Sequence, residues 1–199
     1  LALLQVPAQQ PLATGTPATP PTLLLFGDSR IAQWKPLPDR PYPIIRSGHP
    51  GASAIQLVPD FQQALARHRP AVVLLQLGAN DAVGAALAEP AARQHALADT
   101  LAAIDRMATA ASAQGARLIL VEVIPPVRTD PLRRLLMGDR MDSFIAQLNA
   151  ALPAIAARHG TSWQALARAN GLDTPHLIQP GQRLRLPGGS GEATHTVVR

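Results

Sequence analysis

Leu24-Leu25-Phe26-Gly27-Asp28-Ser29-Arg30 ends an apolar run in Gly-Asp-Ser. Three apolar residues before a glycine predict a buried strand, so Ser29 falls on a tight turn just past that strand's carboxyl end. Open α/β sheets build their reactive sites along this edge. A glycine there lets the backbone turn sharply and leaves room for a substrate. Two further glycine turns lie downstream. One is Gly48-His49-Pro50-Gly51, and the other, Gly78-Ala79-Asn80-Asp81, follows a second apolar run from Val72 to Leu77.

Outward from these turns, apolar runs alternate with helical patterns. Strands are expected at Thr22–Phe26, Ile44–Arg46, Val72–Leu77 and Arg117–Ile124, with Pro125-Pro126 stopping the last. Unbroken apolar character at 23–26, 72–77 and 118–121 predicts a parallel sheet covered on both faces. Ala52–His68, Glu89–Ala113 and Pro131–Arg158 carry apolar residues at helical spacing, with Gly115 ending the second. Alternating strands and helices predict a doubly wound α/β layer structure. Residues 1–21 hold five prolines between 5 and 21 and read as a linker, or as the remnant of a signal sequence at Leu1-Ala2-Leu3-Leu4.

Composition narrows the chemistry. Of 199 residues 47% are apolar but only 3% aromatic, so Ala, Leu, Val and Ile must build the core. The length suits one core of roughly 120–150 residues plus a small appendage. With no cysteine, disulfides, thiolate metal sites and a cysteine nucleophile are excluded. The six histidines are scattered and lack carboxylates at ligand spacing, so no metal is expected. Nor is a phosphate-cradling glycine loop present, and no cofactor is expected. Seventeen arginines and one lysine give a net charge of +5. They are spread along the chain rather than interleaved with aromatics, which argues against a nucleic-acid partner but suits anionic polymers. No run is long and apolar enough to span a bilayer.

Taken together, Gly27-Asp28-Ser29, the glycine turn ending at Gly51, and Gly78-Ala79-Asn80-Asp81 resemble the SGNH, or GDSL, serine esterases over about residues 22–150. The resemblance implies a flavodoxin-like three-layer α/β/α sandwich around a parallel sheet. It implies that Ser29 is the nucleophile, with an oxyanion hole of the Ser29 and Gly51 backbone N–H groups and the Asn80 side-chain amide. Such donors are worth on the order of 3 kcal/mol each in the transition state. It implies a base from an Asp-x-x-His sequence near the carboxyl terminus, and Asp173-Thr174-Pro175-His176 is the only one here. His176 would then be the base and Asp173 its orienter. His49 and His159 are the other histidines considered for that role. The family's fifth strand has no counterpart in the apolar runs.

A second likeness overlaps the first. His159-Gly160-Thr161-Ser162-Trp163, then Asn170-Gly171-Leu172, then Leu177-Ile178-Gln179-Pro180-Gly181-Gln182-Arg183-Leu184 resemble a LysM module over about 151–187. Such modules bind N-acetylglucosamine chains of peptidoglycan or chitin. This one lacks its opening strand, leaving a helix-helix-strand appendage, and in such modules the histidine of the Pro-His segment is not catalytic. After the linker at 188–193, Thr194–Arg199 resembles the start of another repeat. That strand is expected to pair antiparallel with 182–186 in place of the missing one.

The combined expectation is a periplasmic or secreted serine esterase acting on acyl or acetyl esters, held near peptidoglycan by the LysM-like part. Two alternatives remain at this stage: a peptidoglycan-binding envelope protein with an inactive esterase domain, and a spliced or truncated chain with neither activity.

Overall fold

The apolar run at the head of the chain becomes the first strand of a four-stranded parallel sheet in a computed structural model. That structure describes residues 21–34, 42–125, 137 and 139–160, and the backbone of 183–185 and 194–196. Strands β1 (Leu23–Asp28), β2 (Ile44–His49), β3 (Val72–Gln76) and β4 (Arg117–Leu120) lie in the order β2-β1-β3-β4. This is the winding of the first four strands of a flavodoxin-like sheet. Between them run α1 (Ser29–Gln33), α2 (Val58–His68), α3 (Ala79–Leu87) and α4 (Pro90–Ala113), and α5 (Arg140–Arg158) follows. Among the described residues no fifth parallel strand joins the sheet.

Register decides which side chains share a face. Leu24, Val73 and Leu118 stand in one row, and Phe26 and Leu75 in the next, all on one side of the sheet. Phe26 meets Phe61 of α2 edge-on, with ring centroids 5.0 Å apart. Leu57, Leu65, Ile104, Met107, Phe144 and Leu148 complete this main core, with alanines of α3 and α4 between them. The core is therefore mostly aliphatic and alanine-rich, but all three phenylalanines of the chain, Phe26, Phe61 and Phe144, are buried in it and are its largest side chains. The opposite face begins with Leu25 and Gly27, against which α1 packs. Gly27 and Gly48 are register partners, and a Cβ at Gly48 would overlap the Ala32 backbone. Helix α1 presses directly onto β1 and β2 at this glycine pair, where the sheet carries no side chains.

The observed strands depart from expectation at their ends. β1 runs two residues further, to Asp28, and β2 three further, to His49, because the two strands stay paired to that point. Conversely β4 stops at Leu120, four residues short of the expected Ile124. Beyond it side-chain amides take over from ladder bonds. Gln76 Nε2 donates to Glu122 O at 2.9 Å, and Asn149 of α5 both accepts from Val123 N (2.9 Å) and donates to Val123 O (3.0 Å).

The expected helix from Ala52 starts later, as a 3-10 turn at Ile55–Leu57 running into α2. For the expected helix from Pro131, the described part is α5, and most of 131–138 lies outside the described residues. Strands β5 (Arg183–Arg185) and β6 (Thr194–Thr196) pair antiparallel, Leu184 opposite His195, as expected from the sequence. Residues 151–158 of the LysM-like stretch are the last turns of α5, which runs unbroken across the expected boundary at 150/151, and residues 161–182, 186 and 187 lie outside the described residues, as do residues 1–20.

Candidate active site

Ser29 is the first residue of α1, directly after β1. Asp28 is the helix N-cap, its Oδ1 accepting from Arg30 N at 3.0 Å. The first N–H groups of a helix have no intrahelical acceptor, so the Ser29 N–H is available to an external oxygen. The same fully buried Asp28 reaches across the sheet edge, and its Oδ2 accepts from Ala79 N at 3.2 Å. One carboxylate thus caps α1 and anchors the start of α3. This draws the Ser29 turn and the first turn of α3, which carries Asn80, to the same point. No hydrogen bond among the described residues engages Ser29 Oγ.

Gly51 sits in the turn His49-Pro50-Gly51-Ala52. Its φ is +81°, and Ala52 N donates to His49 O at 3.4 Å. Proline followed by a glycine at positive φ is the signature of a type II turn. In such a turn the central peptide is flipped outward, leaving the Gly51 N–H off the turn's own hydrogen bond. Asn80 Nδ2 donates to Ala52 O at 2.9 Å. A primary amide carries two N–H groups, so this bond orients the side chain and leaves a second donor. The structure therefore brings the turns of Ser29, Gly51 and Asn80 to the carboxyl edge of the sheet. Asp173 and His176 lie outside the described residues.

The other two histidines are committed elsewhere. His49 Nε2 lies 2.8 Å from Ser47 Oγ and its Nδ1 3.6 Å from Asp60 Oδ2, with the ring against Phe26. Both ring nitrogens are turned to β2 and α2 rather than to Ser29. His159 closes α5, with Nε2 3.2 Å from Asp105 Oδ1 and Nδ1 3.4 Å from Ser112 Oγ. Helix α4 delivers the chain to the start of β4, so Ser112 and His159 lie toward the amino edge, away from Ser29. There Arg158 donates to Asp105 at 2.8 Å, and that bond, with His159 beside it, holds the Asp105 carboxyl below its ordinary value.

Asp81, beside Asn80, has a part that its place in the sequence does not show. Its two carboxylate oxygens lie 3.2 and 3.1 Å from Ala54 N, and Oδ1 lies 3.0 Å from Thr100 Oγ1. Burial pushes the carboxyl up, against the hydrogen bonds from Ala54 and Thr100, and the Asp28 charge adds to the rise. Thr100 is itself fully buried, and its single hydroxyl proton faces two acceptors, Ala96 O at 2.7 Å and Asp81 Oδ1 at 3.0 Å. Gln76 is another such residue; its Oε1 is buried without a hydrogen-bond partner. The usable signal for Asp81 was its place beside Asn80 in the first turn of a helix, where acidic residues are favoured.

No set of three or more His, Cys, Asp or Glu residues that could hold a metal ion occurs among the described residues. No helix among them is long and apolar enough to cross a membrane.

Known structures share the architecture. A GDSL-like lipase from Bacteroides thetaiotaomicron VPI-5482 is similar with a TM-score of 0.54 and 23% identity, over 71% of this chain and 66% of that one. A lipolytic protein of the G-D-S-L family from Desulfitobacterium hafniense DCB-2 gives 0.53 and 14%, over 80% and 85%. TesA gives 0.51 and 22%, over 70% and 75%. At these identities the likeness is one of fold, and this chain spans about two thirds of the length of the first. Among curated protein sequences none matches. The family profile of the GDSL-like lipases and acylhydrolases, however, matches residues 24–192, from β1 through Asp173 and His176. With most of its length inside that match and its three motif turns gathered at one sheet edge, this chain belongs to the GDSL-like lipase/acylhydrolase family.

Proposed function

We propose that the protein is a serine esterase cleaving acyl or acetyl esters at Ser29. Ser29 Oγ attacks the ester carbonyl while its proton passes to His176, which Asp173 orients. The carbonyl oxygen becomes an oxyanion held by the N–H groups of Ser29 and Gly51 and the free amide N–H of Asn80. Collapse breaks the bond to the alkoxide, which leaves with the proton from His176. Water, deprotonated by His176, then releases the acyl group and restores Ser29.

The observation carrying this reading is the Asp28 bridge, which ties the nucleophile turn and the Asn80 turn together through bonds to Arg30 N and Ala79 N. The assignment of His176 is supported by Asp173-Thr174-Pro175-His176 being the only Asp-x-x-His in the chain and by its place inside the family match.

The test is hydrolysis of p-nitrophenyl acetate by the parent, Ser29→Ala and His176→Ala side by side. Loss by at least about 10³-fold in both is expected. Loss in Ser29→Ala alone moves the base elsewhere. An inert parent leaves the glycan-binding alternative.

A second reading concerns location. The LysM-like stretch at 151–187 would hold the enzyme on cell-wall glycan in the envelope and raise its local substrate concentration. The antiparallel pairing of Arg183–Arg185 with Thr194–Thr196 favours it, because that is the pairing expected of a LysM module completed by the following strand. Co-sedimentation with insoluble peptidoglycan, competed by chito-oligosaccharide, is the expected result. A protein that stays in the supernatant removes the tether.

A further inference from the structure

The segment Ala52–Ala54, which joins the Gly51 turn to the 3-10 turn, belongs to no helix or strand. Two consecutive side chains of α3 hold it. Asn80 takes the carbonyl of Ala52, and Asp81 takes the N–H of Ala54. Asp81 in turn rests on Thr100 of α4. The position of the Gly51 N–H is therefore set from below by a chain running Ala54, Asp81, Thr100, Ala96.

The protons in that chain can be counted. A hydroxyl donates once. The Thr100 hydroxyl is shared between Ala96 O at 2.7 Å and Asp81 Oδ1 at 3.0 Å, which pins that oxygen to α4. The Ala54 N–H and the Asp81 N–H also donate to the carboxyl group, so Asp81 acts as the common acceptor that joins the Ala52–Ala54 segment, α3 and α4.

We infer that Asp81 is the positioning residue of the oxyanion hole, fixing the Gly51 turn through Ala54 as a hydrogen-bond acceptor rather than through its charge. The inference rests on the esterase reading above.

The experiment uses the full chain with p-nitrophenyl acetate as substrate and an alkylboronic acid as mimic of the tetrahedral oxyanion. Competent sites are counted by stoichiometric phosphonate labelling. In Asp81→Ala, kcat per labelled site is expected to fall about 10²-fold with KM within about twofold, and boronate affinity to fall in parallel. Asp81→Asn, which can donate to Thr100 and accept from Ala54, should recover all but about threefold of that loss. Thr100→Val should lose part of the activity in the same pattern, and Thr100→Ser should regain it. This pair decides the matter if Asp81→Ala does not fold.

Unaltered kcat per site and boronate affinity in Asp81→Ala, or in Thr100→Val, would overturn the inference. So would an Asp81→Asn enzyme as weak as Asp81→Ala, since the charge would then be what matters. Activity surviving in Ser29→Ala would instead bring down the esterase reading and leave no oxyanion hole to position.

Discussion

Gly51 adopts φ +81°, a conformation that costs a residue with a Cβ roughly 1–3 kcal/mol. Nothing lies within 4 Å of where its Cβ would be, so Gly51→Ala tests backbone strain without a clash. Urea unfolding should show a loss of that size or, if the turn relaxes instead, a displaced N–H and a lower kcat with KM kept. On the proposed esterase mechanism Asn80→Ala removes a transition-state donor, and a fall in kcat of about 10²–10³ is expected. These residues were legible in the sequence because each motif is local: a glycine, a nucleophile or amide, and the strand before it. Asp28 and Asp81 were not legible in the same way. Their roles depend on amides 51 and 27 positions distant, Ala79 and Ala54, and no local pattern points to such partners.

Elements were legible where burial gave them a strong period or an unbroken apolar run. All four parallel strands and the helices α2, α4 and α5 fall where those signals lie. Helix α1 escaped notice because five residues are too few to show a period, and α3 because an alanine-rich stretch with Gly84 shows little contrast between its faces. Past Leu120, Val121-Glu122-Val123-Ile124 holds three β-branched residues that favour a strand. Val121 N still donates to Leu75 O, and beyond it Gln76 and Asn149 satisfy Glu122 O and the backbone of Val123 in place of a neighbouring strand. Asn149→Leu strands the N–H and carbonyl of Val123, itself fully buried, and should cost about 1–3 kcal/mol in thermal or urea unfolding.

Between α4 and α5, Asp105 has its carboxyl held below its ordinary value of 3.8 by Arg158 and His159. Its contribution is therefore complete above that pH and is lost as pH falls below it. Asp105→Asn should unfold slightly more easily than the parent near neutrality, by under about 1 kcal/mol because the pair is exposed. The difference should vanish in acid.

For the molecule as a whole, the family match carries one identity across residues 24–192, while the LysM likeness rested on 151–187 within it. Two patterns written over the same stretch explain why the sequence alone left the base unsettled. Pairing of β5 with β6 predicts slowed amide exchange in the Thr194–Thr196 strand at the positions that face Arg183–Arg185. Fast exchange throughout would dissolve the strand pair and, with it, the support for a completed glycan module.

The Asp28 bridge also orders events in time. On the ribosome Ser29 emerges before the amide that fixes its neighbour, since Ala79 is synthesised 51 residues after Asp28, and Thr100 later still. At about 5–20 residues per second that interval is roughly 3–10 s. During it Ser29 stands on an unanchored turn. A site assembled this way stays open until the chain that carries it is long enough to close around it.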